Sequence, residues 1–324
     1  MKEKERDIAI DIAKAFGILF MIIGHFKETP WLLRHFIFSF HMPLFFIFSG
    51  YFYKSRNIKD VVRNGNKSLV KPYLITSLVC VILWMTVHQN DQAFKKIIGA
   101  IMANGTMDDV LIGAGLPNMG PAWFLMALYW CKIFYAMLKQ WTDKCLLASF
   151  IISTVAFIIG RYAMNLPFGI LVGMCGLVFY AMGDYWRNRN LIPQNKWQLG
   201  VGCIIWIFCI YKSWLNINSF CCTHYPITMV GAFIGTYMIY LASKRTPRML
   251  RPFMSWVGRN TMLILCYYTL KNCILSNVIY YVLQPLGLSF PSGGIGEMCI
   301  VFALSLGLPF IHGYISHRCP PGRL

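Results

Sequence analysis

Charge is scarce in this chain. Charged residues make up 13% of its 324 positions, and acids are the scarcer kind, 12 Asp and Glu against 30 Lys and Arg. A soluble domain carries about 25% charged residues. With 57% hydrophobic residues here, the composition excludes an ordinary globular core and fits a polytopic membrane protein. No segment between the apolar runs is long enough to fold as a soluble domain, and no internal repeat is evident. Metal-ligand spacing is also missing. Cys80, Cys131, Cys175, Cys203, Cys266 and Cys299 are scattered through apolar runs, where they act as small hydrophobes. No spacing matches a zinc site, and Cys221-Cys222 are too close for a standard disulfide. No metal is expected.

A net charge of +18 would point to nucleic acid in a soluble protein. In a chain of long apolar runs the positive-inside rule accounts for it, so membrane lipids, not nucleic acid, are the expected surroundings. A span needs about 20 apolar residues. Candidates lie at 8–26, 32–53, 69–88, 121–138, 145–160, 168–186, 198–213, 226–243, 261–282 and 297–316, about ten helices in one domain over 1–324. The first contains Asp11 and Lys14 and lacks a small-residue cleavage site, so it is expected to be a retained span. The segment 92–103 is too short and charged to span and is expected as an interfacial helix. With the N-terminus placed inside, 21 of the 30 basic residues fall on inner segments, 6 on outer ones, and Lys14, Lys132 and Lys271 within spans. That bias predicts an all-α bundle with both termini cytoplasmic. The glycine-rich loops 89–120 and 283–296 are candidates to line an outer entrance.

Polar residues inside lipid carry the functional signal, because they are costly there unless they face a bundle interior. Asp7, Asp11 and Lys14 precede His25 by 18, 14 and 11 residues, close to whole helical turns, so the four share one stripe with Ile18 and Met21. Asp–Lys pairing near the interface is the plain alternative for the lower group. For His25 it is an interfacial ring hydrated by water. The second run, FSFHMPLFFIFSGYF, adds Ser39, His41, Pro43 and Ser49. A packed histidine bonded to a neighbouring carbonyl is the plain reading of His41. The segment KSRNIKDVVRNGNKSLVKPY is the densest basic stretch. It is either an anchor for anionic lipid or a cytosolic phosphate site. Trp123 reads as an aromatic-belt residue or a site residue, Asp184 and Glu297 as interfacial, Lys132 and Lys271 as snorkelling or cavity-lining, and Asn260 as a helix cap.

Together RDIAIDIAKAFGILFMIIGH, FSFHMPLFFIFSGYFY, KSLVKPY, PAWFLMALYW and VGRNTMLIL resemble the membrane acyltransferase family 3, in particular its fucose 4-O-acetylase-like branch. The resemblance implies an O-acyltransferase of the cell inner (plasma) membrane. Such an enzyme moves an acyl group, usually acetyl, from cytosolic acetyl-CoA to a hydroxyl of a glycan or lipid-linked sugar. The family's basic residue, ten intervening positions and histidine fall on Lys14 and His25, its first-helix acid on Asp11, and its FHMPLFF histidine on His41. Its basic positions before the third span fall on Arg63, Lys67 and Lys71. Ala15 stands where relatives commonly have glycine, and Tyr268 where many have histidine.

A sugar hydroxyl needs a base to attack a thioester, and an imidazole, titrating near pH 6.5, is suited to it. On this reading His25 is the general base and Asp11 supports it through Lys14, bound CoA or water. Lys14, Arg63, Lys67 and Lys71 hold CoA phosphates, while His41, Trp123 and Tyr268 shape the acceptor side. An acyl-His25 intermediate stays open, as does a homo-oligomer. The competing class is a transporter or flippase of a lipid-linked saccharide.

Overall fold

The computed structural model describes residues 7–312 apart from 27, 55–56, 88–89, 104, 106–118, 164, 190–195, 279–280, 283 and 287–294. The terminal basic residues, Lys27, Arg56 and most of the 283–296 loop therefore lie outside the described residues, as does the side chain of Glu297.

The described residues of the ten apolar runs fall mainly on helix. The chain forms α1 (Ile8–Gly24), α2 (Trp31–Tyr51), α3 (Ile58–Gly65), α4 (Lys71–Met85), α5 (Asn90–Met102), α6 (Trp123–Trp141) and α7 (Cys145–Tyr162). It continues through α8 (Ile170–Cys175), α9 (Leu177–Arg189), α10 (Lys196–Lys212), α11 (Tyr225–Lys244), α12 (Arg251–Arg259), α13 (Thr261–Val278) and α14 (Ile295–Phe302). The described strands are β1 (Leu215–Asn216) and β2 (Cys221–Cys222), an antiparallel hairpin between α10 and α11. Five helical rods are long and apolar enough to cross a membrane: Trp31–Tyr51, Ile58–Met85, Gly120–Trp141, Cys145–Tyr162 and Tyr225–Lys244. The bent pair Pro167–Cys175 and Leu177–Arg189 makes a sixth. α1, at 17 residues, and the stretches Leu199–Lys212, Thr261–Leu275 and Cys299–His312 are apolar but shorter.

The outer surface is that of a membrane protein. Leu74, Leu78 and Ile82 point outward from α4 at successive turns, as Ile151, Val155 and Ile158 do from α7. Such apolar faces suit lipid, whereas in water they would be aggregation sites. Pro43 lies inside α2, which nevertheless runs unbroken to Tyr51.

The interior brings α1, α2, α6 and α13 together. α2 crosses α9 with backbones nearly touching: a Cβ on Gly50 would stand 1.9 Å from the Tyr180 carbonyl oxygen, and one on Gly183 1.9 Å from that of Ile47. α1 is seated the same way on α12, where a Cβ on Gly258 would stand 1.7 Å from the Asp11 carbonyl oxygen. Beside that contact the Arg259 guanidinium lies 3.6 Å from the Asp11 carboxylate. Asn260 joins two helices, its side-chain amide donating to the Trp256 carbonyl of α12 and its own carbonyl accepting from Ile264 N–H of α13. At the start of α1, Asp7 caps the helix by accepting from Ala9 N–H and also accepts from the Tyr240 hydroxyl.

Candidate active site

A cavity of about 610 Å³ runs between α1, α2, α3, α6 and α13. α1 contributes Lys14, Ile18, Met21 and His25 to its wall. These residues fall within about 60° of one another around the helix, one continuous stripe about 16 Å long from Lys14 to His25. Asp11 sits at the edge of the stripe, about 40° from His25 on the side away from Met21. There it packs on α12, buried at 3% exposure and facing Arg259. It does not line the cavity.

One end of the cavity is cationic. Lys14, Lys54 and Lys132 line it, with Asn64 and Ser68 between them. The Lys14 ammonium also lies 5.4 Å from the Phe52 ring centre. Arg63, Lys67 and Lys71 are not on this wall. α3, a π turn at Asn66–Val70 and α4 form one 28-residue rod. On it Lys59, Arg63, Lys67 and Lys71 recur every fourth residue as an exposed stripe. The cavity face of the same rod is Val61, Asn64, Gly65, Ser68 and Leu69. Helical periodicity thus separates the dense basic stripe from the wall it was expected to supply. Behind this end, the Asp184 carboxylate accepts from the Tyr135 hydroxyl at 2.6 Å and lies 2.8 Å from the Lys139 ammonium. The Tyr135 ring packs on Tyr53 and Tyr180, both of which line the cavity.

At the other end stand two histidines. His25 Nδ1 lies 2.8 Å from the Met21 carbonyl oxygen, and His41 Nδ1 2.9 Å from that of Ile37. A carbonyl only accepts, so Nδ1 of each ring carries a proton and Nε2 of the neutral ring offers its lone pair. His41 is fully enclosed at 1% exposure, while His25 keeps an open face and lines the cavity. The two rings stand edge to face with centroids 6.3 Å apart. The Tyr268 ring sits at the same distance from His25, on its other neighbour α13, though not on the cavity wall. The Lys271 ammonium lies 4.4 Å from the Tyr268 ring centre. Trp123 lines this end, at the start of α6.

Sequence reasoning thus placed four residues on the cavity wall: Lys14, His25, His41 and Trp123. It missed Lys54, Asn64, Ser68 and Tyr180, and it missed the hairpin residues Asn216 and Asn218, which also line the cavity. Lys132, unexplained by composition, is on the wall. The helical face of 61, 64, 65, 68 and 69 was a readable signal for Asn64 and Ser68; Lys54, Tyr180 and the hairpin had none.

Apolar exterior, helical interior and a cavity that brings lysines and histidines into the bundle together define a membrane protein built around an internal site. The family model described as an acyltransferase domain matches residues 7–314, and the chain belongs to that family. Among curated proteins it is similar to the nodulation protein NolL of Mesorhizobium japonicum (strain LMG 29417 / CECT 9101 / MAFF 303099). The two are 25% identical over 226 residues, covering 64% of this chain and 57% of that protein. The matched region thus spans little more than half the length of that relative. No solved structure matches the chain.

Proposed function

We propose that this membrane acyltransferase is an O-acetyltransferase that carries an acetyl group from cytosolic acetyl-CoA to a hydroxyl of a cell-surface glycan or lipid-linked sugar. The supporting observation is one continuous cavity, with Lys14, Lys54 and Lys132 at one end and His25 and His41 at the other. Lysines suit phosphates, and a neutral imidazole with Nδ1 pinned suits proton abstraction by Nε2. The resemblance to the fucose 4-O-acetylase-like branch supports acetyl as the group moved.

In this reading the protein lies in the inner (plasma) membrane with about ten spans and both termini cytoplasmic, so the cationic end opens to the cytosol. Lys14, Lys54 and Lys132 hold the CoA phosphates, while Arg63, Lys67 and Lys71 add attraction at the mouth and anchor the rod to anionic lipid. The acceptor hydroxyl attacks the thioester carbonyl as His25 Nε2 takes its proton. Collapse of the tetrahedral intermediate expels the CoA thiolate, which recovers that proton from His25. Asp11 is a positioning residue, holding α1 to α12 through Arg259. His41, Trp123 and Tyr268 form the acceptor surroundings.

The test is reconstitution in liposomes with radiolabelled acetyl-CoA and a panel of glycans. Label transferred to a glycan is the expected result. Movement of a lipid-linked saccharide across the bilayer with no label transferred to any acceptor would replace this reading with that of a transporter.

A further inference from the structure

The hairpin after α10 closes the histidine end of the cavity, and its residues Leu215, Asn216, Ile217 and Asn218 line it. Trp214, just before β1, stacks on Phe38 of α2 with centroids 4.8 Å apart and planes 16° apart. Phe38 is itself a wall residue, its ring 4.8 Å from that of His41 and 5.8 Å from that of His25. The hairpin is therefore fixed, through one aromatic stack, relative to both histidines. On its far side Gly105, between α5 and α6, sits between it and Trp123: a Cβ there would stand 2.2 Å from the Trp123 ring and 2.8 Å from the Asn218 amide nitrogen.

Asn218 presents an amide to this end of the cavity. It is buried at 8% exposure and lines the cavity. Its side-chain amide makes no hydrogen bond among the described residues, and neither does that of Asn216. Both amides face the cavity space, so their donors and acceptors are open to a bound molecule. Among the described residues the wall at this end carries no Lys, Arg, Asp or Glu; the lining lysines all stand at the other end. Amides beside an aromatic face, without net charge, match the two surfaces of a neutral pyranose: hydroxyls that donate and accept at its edge, and C–H groups on its face.

Resting on the acyl-transfer reading above, we infer that Asn216, Asn218, Trp123 and Phe38 form the acceptor subsite and that it takes a neutral pyranose. Asn218 and Asn216 bind hydroxyls that do not react, the sugar face lies on the aromatic rings, and the reacting hydroxyl is thereby presented to His25. These residues bind the acceptor and leave the donor untouched.

The test measures acetyl transfer from acetyl-CoA to methyl glycosides of glucose, galactose, mannose, rhamnose and fucose, and to glucuronic acid methyl glycoside, by the reconstituted full chain. Asn218→Ala is expected to raise the KM for the best glycoside about tenfold, with the affinity for acetyl-CoA unchanged by calorimetry. Gly105→Ala, which keeps both amides and pushes Trp123 and Asn218 aside, is expected to raise the same KM and decides the matter should Asn218→Ala fail to fold. The glucuronide is expected to be the poorest acceptor. An unchanged acceptor KM in the variants, a change in the acetyl-CoA affinity instead, or a preference for the glucuronide would overturn this inference while the acyl-transfer reading stood. A wild-type protein that acetylates none of the glycosides and releases no CoA would instead overturn that reading.

Discussion

Replacing Gly258 with alanine tests how α1 is held. The added Cβ would lie 1.7 Å from the Asp11 carbonyl oxygen, and real contacts of this kind stay beyond 3.0 Å, so α1 and α12 must part by about 1.3 Å. Overpacking of this kind costs ~1–3 kcal/mol. The atom met is backbone, so no side chain can swing away to relieve it. Because Lys14 and His25 lie on the same helix as Asp11, the shift is carried to the cavity wall. A displacement near 1 Å at reacting groups is enough to lower turnover on the order of 10²-fold. The assay is the rate of acetyl transfer together with the thermal unfolding midpoint in detergent. Gly200→Ala, whose Cβ meets nothing within 4 Å, is the control and is expected to leave both unchanged. A Gly258→Ala protein with wild-type rate and midpoint would refute the claim that this contact sets the position of α1.

Other substitutions divide the cavity by function. Lys54→Gln and Lys132→Gln are each expected to raise the KM for acetyl-CoA about tenfold, the value of one charge-assisted hydrogen bond. Arg63→Gln, Lys67→Gln and Lys71→Gln, on the exposed stripe, are expected to change it less than about threefold; initial-rate kinetics separate the two sets. His25→Ala is expected to abolish transfer while acetyl-CoA binding by calorimetry persists, and undiminished turnover would remove His25 from its role. Asp184→Ala leaves the Tyr135 hydroxyl without its acceptor and is expected to destabilise the protein by on the order of 1–3 kcal/mol. Lys139→Met, at a partly exposed partner, is expected to cost less, both read from thermal unfolding.

The helices were legible because each is an apolar run set off by polar turns, and lipid allows few other structures. The stripe on α1 was legible too, since 3.6-residue periodicity brings Lys14 and His25 to one face. What periodicity within a helix could not settle was which neighbour a marginal position meets. Asp11, at the edge of the stripe and about 40° from His25, went to Arg259 of α12, more than 240 residues away in the chain. Arg63, Lys67 and Lys71 were read as a cluster by charge density, yet charge density does not say which face of a rod turns inward. The hairpin was invisible because two-residue strands leave no pattern, and Asn218 acquires meaning only where the chain folds back over the histidines.

The central claim is that one cavity joins a donor end to an acceptor end across the membrane, and sidedness tests it most directly. Radiolabelled acetyl-CoA is sealed inside liposomes holding oriented protein with its cationic end inward, and the acceptor glycoside is supplied outside only. The account predicts labelled acetyl ester in the outer solution, lost with His25→Ala. Label appearing only when donor and acceptor share one compartment would contradict it.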